Sequence, residues 1–245
     1  MGVSHGNQSI VTRGLWTYID ANNPACYSGS TNIADSTIIR DLSGNGNNWT
    51  TNVNSSGDVV WGYDSLAPDA KAFTFTKSSD TTSGDTQNRM LSPATGLYNT
   101  INDYTLMCGT RYTTSVGADS KRVLANPSAP PNWMLGHHGN ETGKAYFGDW
   151  IYSTDTGLGT SWAIYTTTRN GPEDKQSFWQ NGTKLTTDST AGTDAGQPDK
   201  LCLGGGQQVS EYSNCAGSFV ILYTRILSDS EVLQNYNTLK ERFRL

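Results

Sequence analysis

Residues 217–243 read GSFVILYTRILSDSEVLQNYNTLKERF. The stretch opens as a strand. Successive strand side chains alternate, so Phe219, Ile221 and Tyr223 share one face while Val220 and Leu222 share the other. Both faces are apolar, which predicts a central strand covered on both sides. The period then changes. Ser228 can cap a helix, and Glu231 three residues later completes a capping box. Val232, Tyr236, Leu239 and Phe243 follow at helical spacing and line one face. Lys240, Arg242 and Arg244 fall near the C-terminal end, where the helix dipole favours cations. A helix over 228–243, docked by its apolar stripe on a sheet, is the expectation.

The rest of the chain shows almost no helical period. Short β-branched and aromatic runs alternate with Gly, Asn, Asp and Ser clusters, the pattern of a two-sheet antiparallel sandwich. Candidate strands are Leu15–Asp20, Val59–Trp61, Ala72–Thr76, Tyr104–Tyr112, Val123–Ala125, Trp133–His137, Ala145–Asp149, Trp162–Thr168, Gln176–Gln180, Lys184–Thr187, Lys200–Gly204 and Gly217–Tyr223. In FWQNGTKL (178–185), Asn181-Gly182 sits between two such runs, and both residues tolerate the positive φ of a type I′ hairpin. Ser78–Asp85 reads as a mobile loop, and residues 1–13 as an N-terminal arm. No linker or repeat divides the chain, so 1–245 is read as one domain.

Composition removes several function classes. Charged residues make up 16% and the net charge is -5, with no Lys/Arg run, which argues against nucleic acid as a partner. Aromatics at 10% argue against disorder. The longest strongly apolar run, Phe219–Tyr223, is far too short for a helical membrane span. The N-terminal MGVSHGNQSIVTRG has no apolar h-region, so no secretory peptide is expected. Cys26, Cys108, Cys202 and Cys215 show neither C-x-x-C pairing nor zinc spacing and read as small buried hydrophobes. Cys202 and Cys215 flank a polar loop and are the pair to test for a bond. The sequons at Asn7, Asn48, Asn54, Asn140 and Asn181 follow from an Asn/Thr-rich composition.

The stretch DLSGNGNNWTT (41–51) begins like a calcium loop, with Asp41, Ser43, Asn45 and Asn47 at alternate positions and Gly46 at the sixth. Such a loop needs a bidentate acid at its twelfth position, where Asn52 stands, and flanking helices. A structural turn, with Asp41 and Ser43 accepting backbone N–H bonds, accounts for the same letters. A calcium site of another composition, including Asp20 or Asp149, stays open, and no other cofactor is implied. There is no G-x-S-x-G elbow and no G-x-x-x-x-G-K-[ST]. His137 and His138 are strand neighbours that point to opposite faces and cannot easily share a metal. Gly204-Gly205-Gly206 opens no helix and reads as a turn or bulge.

Taken in order, GLWTYIDANNPACYSGS, DLSGNGNNWT, FWQNGTKL, LCLGGG and FVILYTRILSDSEVLQNYNTLKERF resemble the laminin G-like branch of the concanavalin A-like lectin/glucanase superfamily. The resemblance covers both ends and the third quarter of the chain. It implies an all-β jelly roll of two antiparallel sheets with a short C-terminal helix. The Asn/Gly/Thr-rich style resembles lectin-like domains of virus and phage particles. That implies a multicopy or homo-oligomeric virion component touching host glycans and other virion proteins, with a cytoplasmic protein as the alternative location.

Glucanase relatives carry a cluster such as Glu-x-Asp-x-x-Glu, because a retaining glycosidase needs two carboxyl groups about 5 Å apart. Here Glu141, Glu173, Glu211, Glu231 and Glu241 are dispersed, and none falls inside a candidate strand. A non-enzymatic lectin-like protein is the expectation. A purely structural virion protein and a polysaccharide-cleaving enzyme are the rivals. Sugars are held by aromatic stacking and by planar amide or carboxylate hydrogen bonds. The segment from Trp133 to Tyr152 is richest in such groups: Trp133, His137, His138, Asn140, Tyr146, Asp149, Trp150 and Tyr152. Against this, alternation could send any one of its tryptophans into the core.

Overall fold

The computed structural model describes residues 9–77, 88–97, 102–114, 121–128, 130–189, 197–206 and 211–245. Two antiparallel eight-stranded sheets face each other, and a C-terminal helix packs outside one of them. The first sheet runs in the order β14 (Thr183–Ser189), β13 (Lys175–Gln180), β12 (Ala163–Asn170), β7 (Tyr104–Tyr112), β16 (Cys215–Tyr223), β5 (Ala67–Phe75), β4 (Val59–Asp64). Its eighth strand, β1 (Leu15–Asp20), also pairs with β16. The second sheet runs β11 (Trp150–Tyr152), β10 (Glu141–Phe147), β9 (Trp133–His138), β8 (Leu124–Ala125), β15 (Cys202–Leu203), β6 (Arg89–Leu91), β3 (Trp49–Asn52), β2 (Ile38–Ile39). The architecture is consistent with a concanavalin A-like jelly roll.

The doubly apolar pattern of β16 has the predicted consequence. Every residue of this strand is buried. One edge pairs with β7, while the other pairs with β5 over Cys215–Gly217 and then with β1 over Phe219–Tyr223. Val220 and Leu222 enter the inter-sheet core beside Leu106, Leu124 and Leu135. Phe219, Ile221 and Tyr223 face the helix side, with Val232, Leu239 and Phe243. Burying each such side chain is worth about 1.5–3 kcal/mol, so the helix is held chiefly by this stripe.

The helix α1 spans Asp229–Leu239, and a 3-10 turn continues over Lys240–Phe243. The capping box forms as read, with Glu231 N–H donating to Ser228 Oγ at 3.3 Å and Ser228 N–H donating to Glu231 Oε2 at 2.9 Å. Arg225 also forks onto the Glu231 carboxylate, and that hydrogen bonding pulls its pKa down to about 2. The expected dipole role of the basic residues is not what places them. Lys240, Arg242 and Arg244 lie beyond the last α-helical turn. Arg242 instead meets Asp20 at 2.7 Å and Arg244 meets Asp69 at 3.6 Å, fastening the C-terminus to the first sheet. Asn235, fully buried on the helix, accepts from Val11 N–H and donates to Tyr223 Oη, tying the arm to the same strand.

The Asn181-Gly182 turn has φ of 50° and 75°, as a type I′ hairpin requires. Strands β2, β3, β6 and β11 were not expected. Each has two to four residues, too few to show a period. The expected strand Ala145–Asp149 starts earlier, at Glu141, and stops at Phe147, and Asp149 lies in the turn that follows. Glu141 therefore does lie in a strand, contrary to expectation. All four cysteines are free and buried, Cys202 and Cys215 included. Burial pushes the thiols of Cys26, Cys108 and Cys202 up to about 12. Ser78–Asp85 and Asn7 lie outside the described residues. Among those described, no helix is long and apolar enough to cross a membrane.

Candidate functional site

The aromatic-rich segment folds as a meander at one edge of the second sheet, and alternation divides it between two faces. Gly139 and Asn140, with φ of 59° and 76°, form the two-residue turn joining β9 to β10. Asn140 is thus a turn residue. On β9, Trp133, Leu135 and His137 point inward, and His138 points outward. On β10, Gly143, with φ of 76°, is an extra residue between the pairs Thr142–His137 and Lys144–Gly136. This bulge resets the alternation, so that Lys144 and Tyr146 lie on the outer face.

Trp133 is fully buried and stacks on Phe147 at 5.8 Å. His137 is fully buried between the rings of Tyr112 at 4.6 Å and Tyr165 at 5.2 Å. Tyr152 stacks on Phe178 at 5.4 Å at the rim of the core. Trp133 and His137 offer no surface to a ligand. Burial without a hydrogen-bond partner on either ring nitrogen lowers the His137 pKa to about 3.

The outward residues do meet. Trp150, 36% exposed, lies edge to face with Tyr146 at 5.2 Å and with His138 at 5.5 Å. Lys144 Nζ stands 5.8 Å from the Trp150 ring and is fixed by Glu141 at 2.7 Å and by the Ser153 carbonyl. Burial lowers the His138 pKa, and the nearby Arg122 cation lowers it further. Arg122 is held by Glu211 at 3.2 Å and by Asn132 Oδ1 at 2.8 Å. Asp149 caps the adjoining turn, its Oδ1 accepting from Trp150 N–H at 2.7 Å. The result is an indole about one-third open to solvent, packed edge to face between two rings, with hydrogen-bonding side chains around it. Arg122 and Glu211 come from distant segments and carry no sequence signal. Glu141 and Lys144 lie three residues apart, and their pairing was not expected from the sequence.

Direct strand pairing carries the outer face from Trp150 and Tyr146 through Met134, Ala125 and Cys202 to Leu91 and Thr50. Met134, Ala125 and Cys202 are buried, so among the described residues this row is exposed toward its two ends. The far end is a groove of about 420 Å³ lined by Asp35, Thr50, Asn52 and Leu91, without an aromatic ring.

The Asp41 loop is a structural turn. The carboxylate accepts from Tyr18 N–H, Ser43 N–H, Asn47 N–H and the hydroxyls of Ser43 and Thr17. Asn45 and Asn47 donate to the carbonyls of Leu15 and Trp16, and Trp49 donates to Thr17 Oγ1. Donor hydrogens, not free oxygens, fill the space a cation would need, so this donor set does not fit calcium.

No protein-family model matches the chain, and no curated protein sequence matches it. Solved structures share the fold. The binding domain of Paraclostridial Mosquitocidal Protein 1 superposes with a TM-score of 0.60 at 14% identity, over 93% of this chain and 52% of its own. Trypanosoma rangeli sialidase in complex with sialic acid gives 0.61 at 13% identity, over 97% of this chain and 35% of its own. The botulinum neurotoxin serotype D binding domain gives 0.58 at 11% identity, over 92% of this chain and 51% of its own. The chain thus spans about half the length of the toxin binding domains and about a third of the sialidase. The likeness extends to the sandwich fold, which here is shared by binding domains and an enzyme.

Proposed function

We propose that the protein is a non-enzymatic, lectin-like glycan-binding module that uses the outer face around Trp150. One observation carries this reading: Trp150 is the exposed tryptophan of the sandwich and is immobilised by Tyr146 and His138. A rigid ring costs little ordering entropy when a sugar stacks on it. His138 and the exposed Asp149 stand in the same patch to bond hydroxyls. The other end of the face has polar groups but no stacking ring, which favours the Trp150 end. The structural likeness to toxin binding domains and to a sialidase in complex with sialic acid fits a glycan partner.

The non-enzymatic part rests on the carboxylates. Glu141, Glu173, Glu211 and Glu231 are each ion-paired to a lysine or arginine. Among the described residues, the displaced carboxyl pKa values, those of Asp35, Asp155 and Glu231, all go down. Hydrogen bonds from Val53 N–H, Thr142 N–H and Arg225 are the respective leading causes. A general acid for glycoside cleavage needs the opposite shift.

The particle context rests on the sequence resemblance alone. On that basis the chain is one domain of a virus or phage particle, present in many copies. Weak single contacts then become effective through multivalency. A glycan array with the purified chain, run with calcium and again with chelator, tests the binding reading. Reversible binding unaffected by chelator and without product release supports it, and sugar cleavage or an empty array refutes it.

A further inference from the structure

The β4–β5 hairpin of the first sheet carries a second aromatic cluster. Trp61 and Tyr63 lie two apart on β4, and Lys71 is the direct cross-strand partner of Tyr63. Lys71 Nζ stands 4.0 Å from the Trp61 ring centroid and 5.2 Å from that of Tyr63. The cluster is anchored from behind. The Trp61 indole N–H donates to the Ala21 carbonyl at 2.8 Å, and its ring meets Tyr27 at 5.3 Å. The Asn22 carboxamide accepts from Lys71 N–H at 2.9 Å.

A lysine resting on a tryptophan is ordinary surface packing and accounts for Trp61. It does not account for Tyr63, which is 71% exposed, the highest of the large apolar side chains among the described residues. Among the described residues no carboxylate lies within ion-pair distance of Lys71 Nζ, so its counter-ion position is open. In a chain of net charge -5, an acidic ligand needs a local cation, which the half-buried Lys71 supplies beside Tyr63.

We infer that Trp61, Tyr63 and Lys71 form a second saccharide site, selective for a carboxylated sugar. The carboxylate pairs with Lys71 Nζ, and the C–H face of the ring stacks on Tyr63. This site is independent of the Trp150 surface and differs from it in ligand charge.

The test is an amide and indole NMR titration with methyl β-glucuronide and with methyl β-glucoside, which differ at the carboxylate. The expected result is movement of the Trp61 indole and Lys71 amide signals, with the glucuronide bound about fivefold more tightly, the size of a half-exposed ion pair. Lys71→Met, or Lys71→Gln if the first variant loses signal dispersion, brings the ratio to about one. Tyr63→Ala weakens both sugars. A wild-type ratio near one, a ratio that survives loss of the ammonium, or still signals at Trp61 overturns the proposal. Shifts confined to Trp150 overturn it too, while leaving the first site standing.

Discussion

The Asp41 carboxylate accepts the Tyr18 backbone N–H at 2.8 Å, and this bond fixes the loop after β2 to strand β1. The same carboxylate takes four further donors from Thr17, Ser43 and Asn47. Removing it strands several buried or half-buried donors, each worth about 1–3 kcal/mol when left unsatisfied. Asp41→Ala is therefore expected to lower stability by about 2–4 kcal/mol in urea denaturation. Millimolar calcium should leave the wild-type Tm unchanged. A calcium-dependent rise in Tm that Asp41→Ala abolishes contradicts the turn assignment.

His137 makes stability sensitive to acid. Its folded pKa is about 3, against about 6.5 in an unfolded chain. Only the neutral ring fits the core, so its contribution is fully present above pH 6.5 and is lost as pH falls toward 3. Protonation linkage then removes about 1.4 kcal/mol per pH unit, or about 2 kcal/mol between pH 6.5 and 5. His138 shifts in the same direction, so the informative quantity is a difference between variants. Tyr112 and Tyr165, the rings facing His137, stay neutral in this window, since burial raises both. Urea titrations of His137→Leu should show a shallower fall over that range than the wild type. Parallel curves sink the idea.

Gly182 joins the hairpin to the helix. Its φ is 75°, and a Cβ built there would stand 2.6 Å from the Tyr236 ring. Gly182→Ala thus meets both backbone strain and a clash, and should cost about 2–3 kcal/mol. Tyr236→Ala removes the clash and leaves the strain, so in its background the same glycine change should cost about 1 kcal/mol. Additive double-mutant energies would show that the two residues do not press on each other.

The buried Arg111–Asp64 pair, at 2.7 Å, also receives the Trp162 indole N–H on Asp64 Oδ1 at 3.0 Å. Breaking one side of such a pair leaves a bare charge, so Asp64→Ala should cost about 3–5 kcal/mol. Adding Arg111→Met removes that charge and should restore more than half of the loss. Denaturant midpoints of the single and double variants decide the matter, and a double variant no better than Asp64→Ala refutes the account.

Long elements were legible in the sequence for a physical reason. The bounds of β1 and β7 matched the expected strands because each run is β-prone and ends at turn residues. The capping box located the start of α1 to the residue. Short strands such as β2 and β6 were not legible, because they exist only through pairing with β3 and β15. The Trp133–Tyr152 cluster was found as a region but not as a surface. Which face each ring took depended on the Gly139-Asn140 turn and the Gly143 bulge, neither of which was read in advance. Arg122 and Glu211 reach the site through tertiary packing that no local spacing encodes.

The central claim is that an exposed, fixed indole at position 150 binds sugar. Its most direct test is the same glycan array probed with the wild type and with Trp150→Ala. Loss of one stacked ring is worth about 1–3 kcal/mol, by analogy with aromatic stacking elsewhere. Signal on the spots the wild type recognises should therefore fall by about tenfold or more, with the circular dichroism spectrum unchanged. Undiminished signal from a folded Trp150→Ala protein would contradict the account.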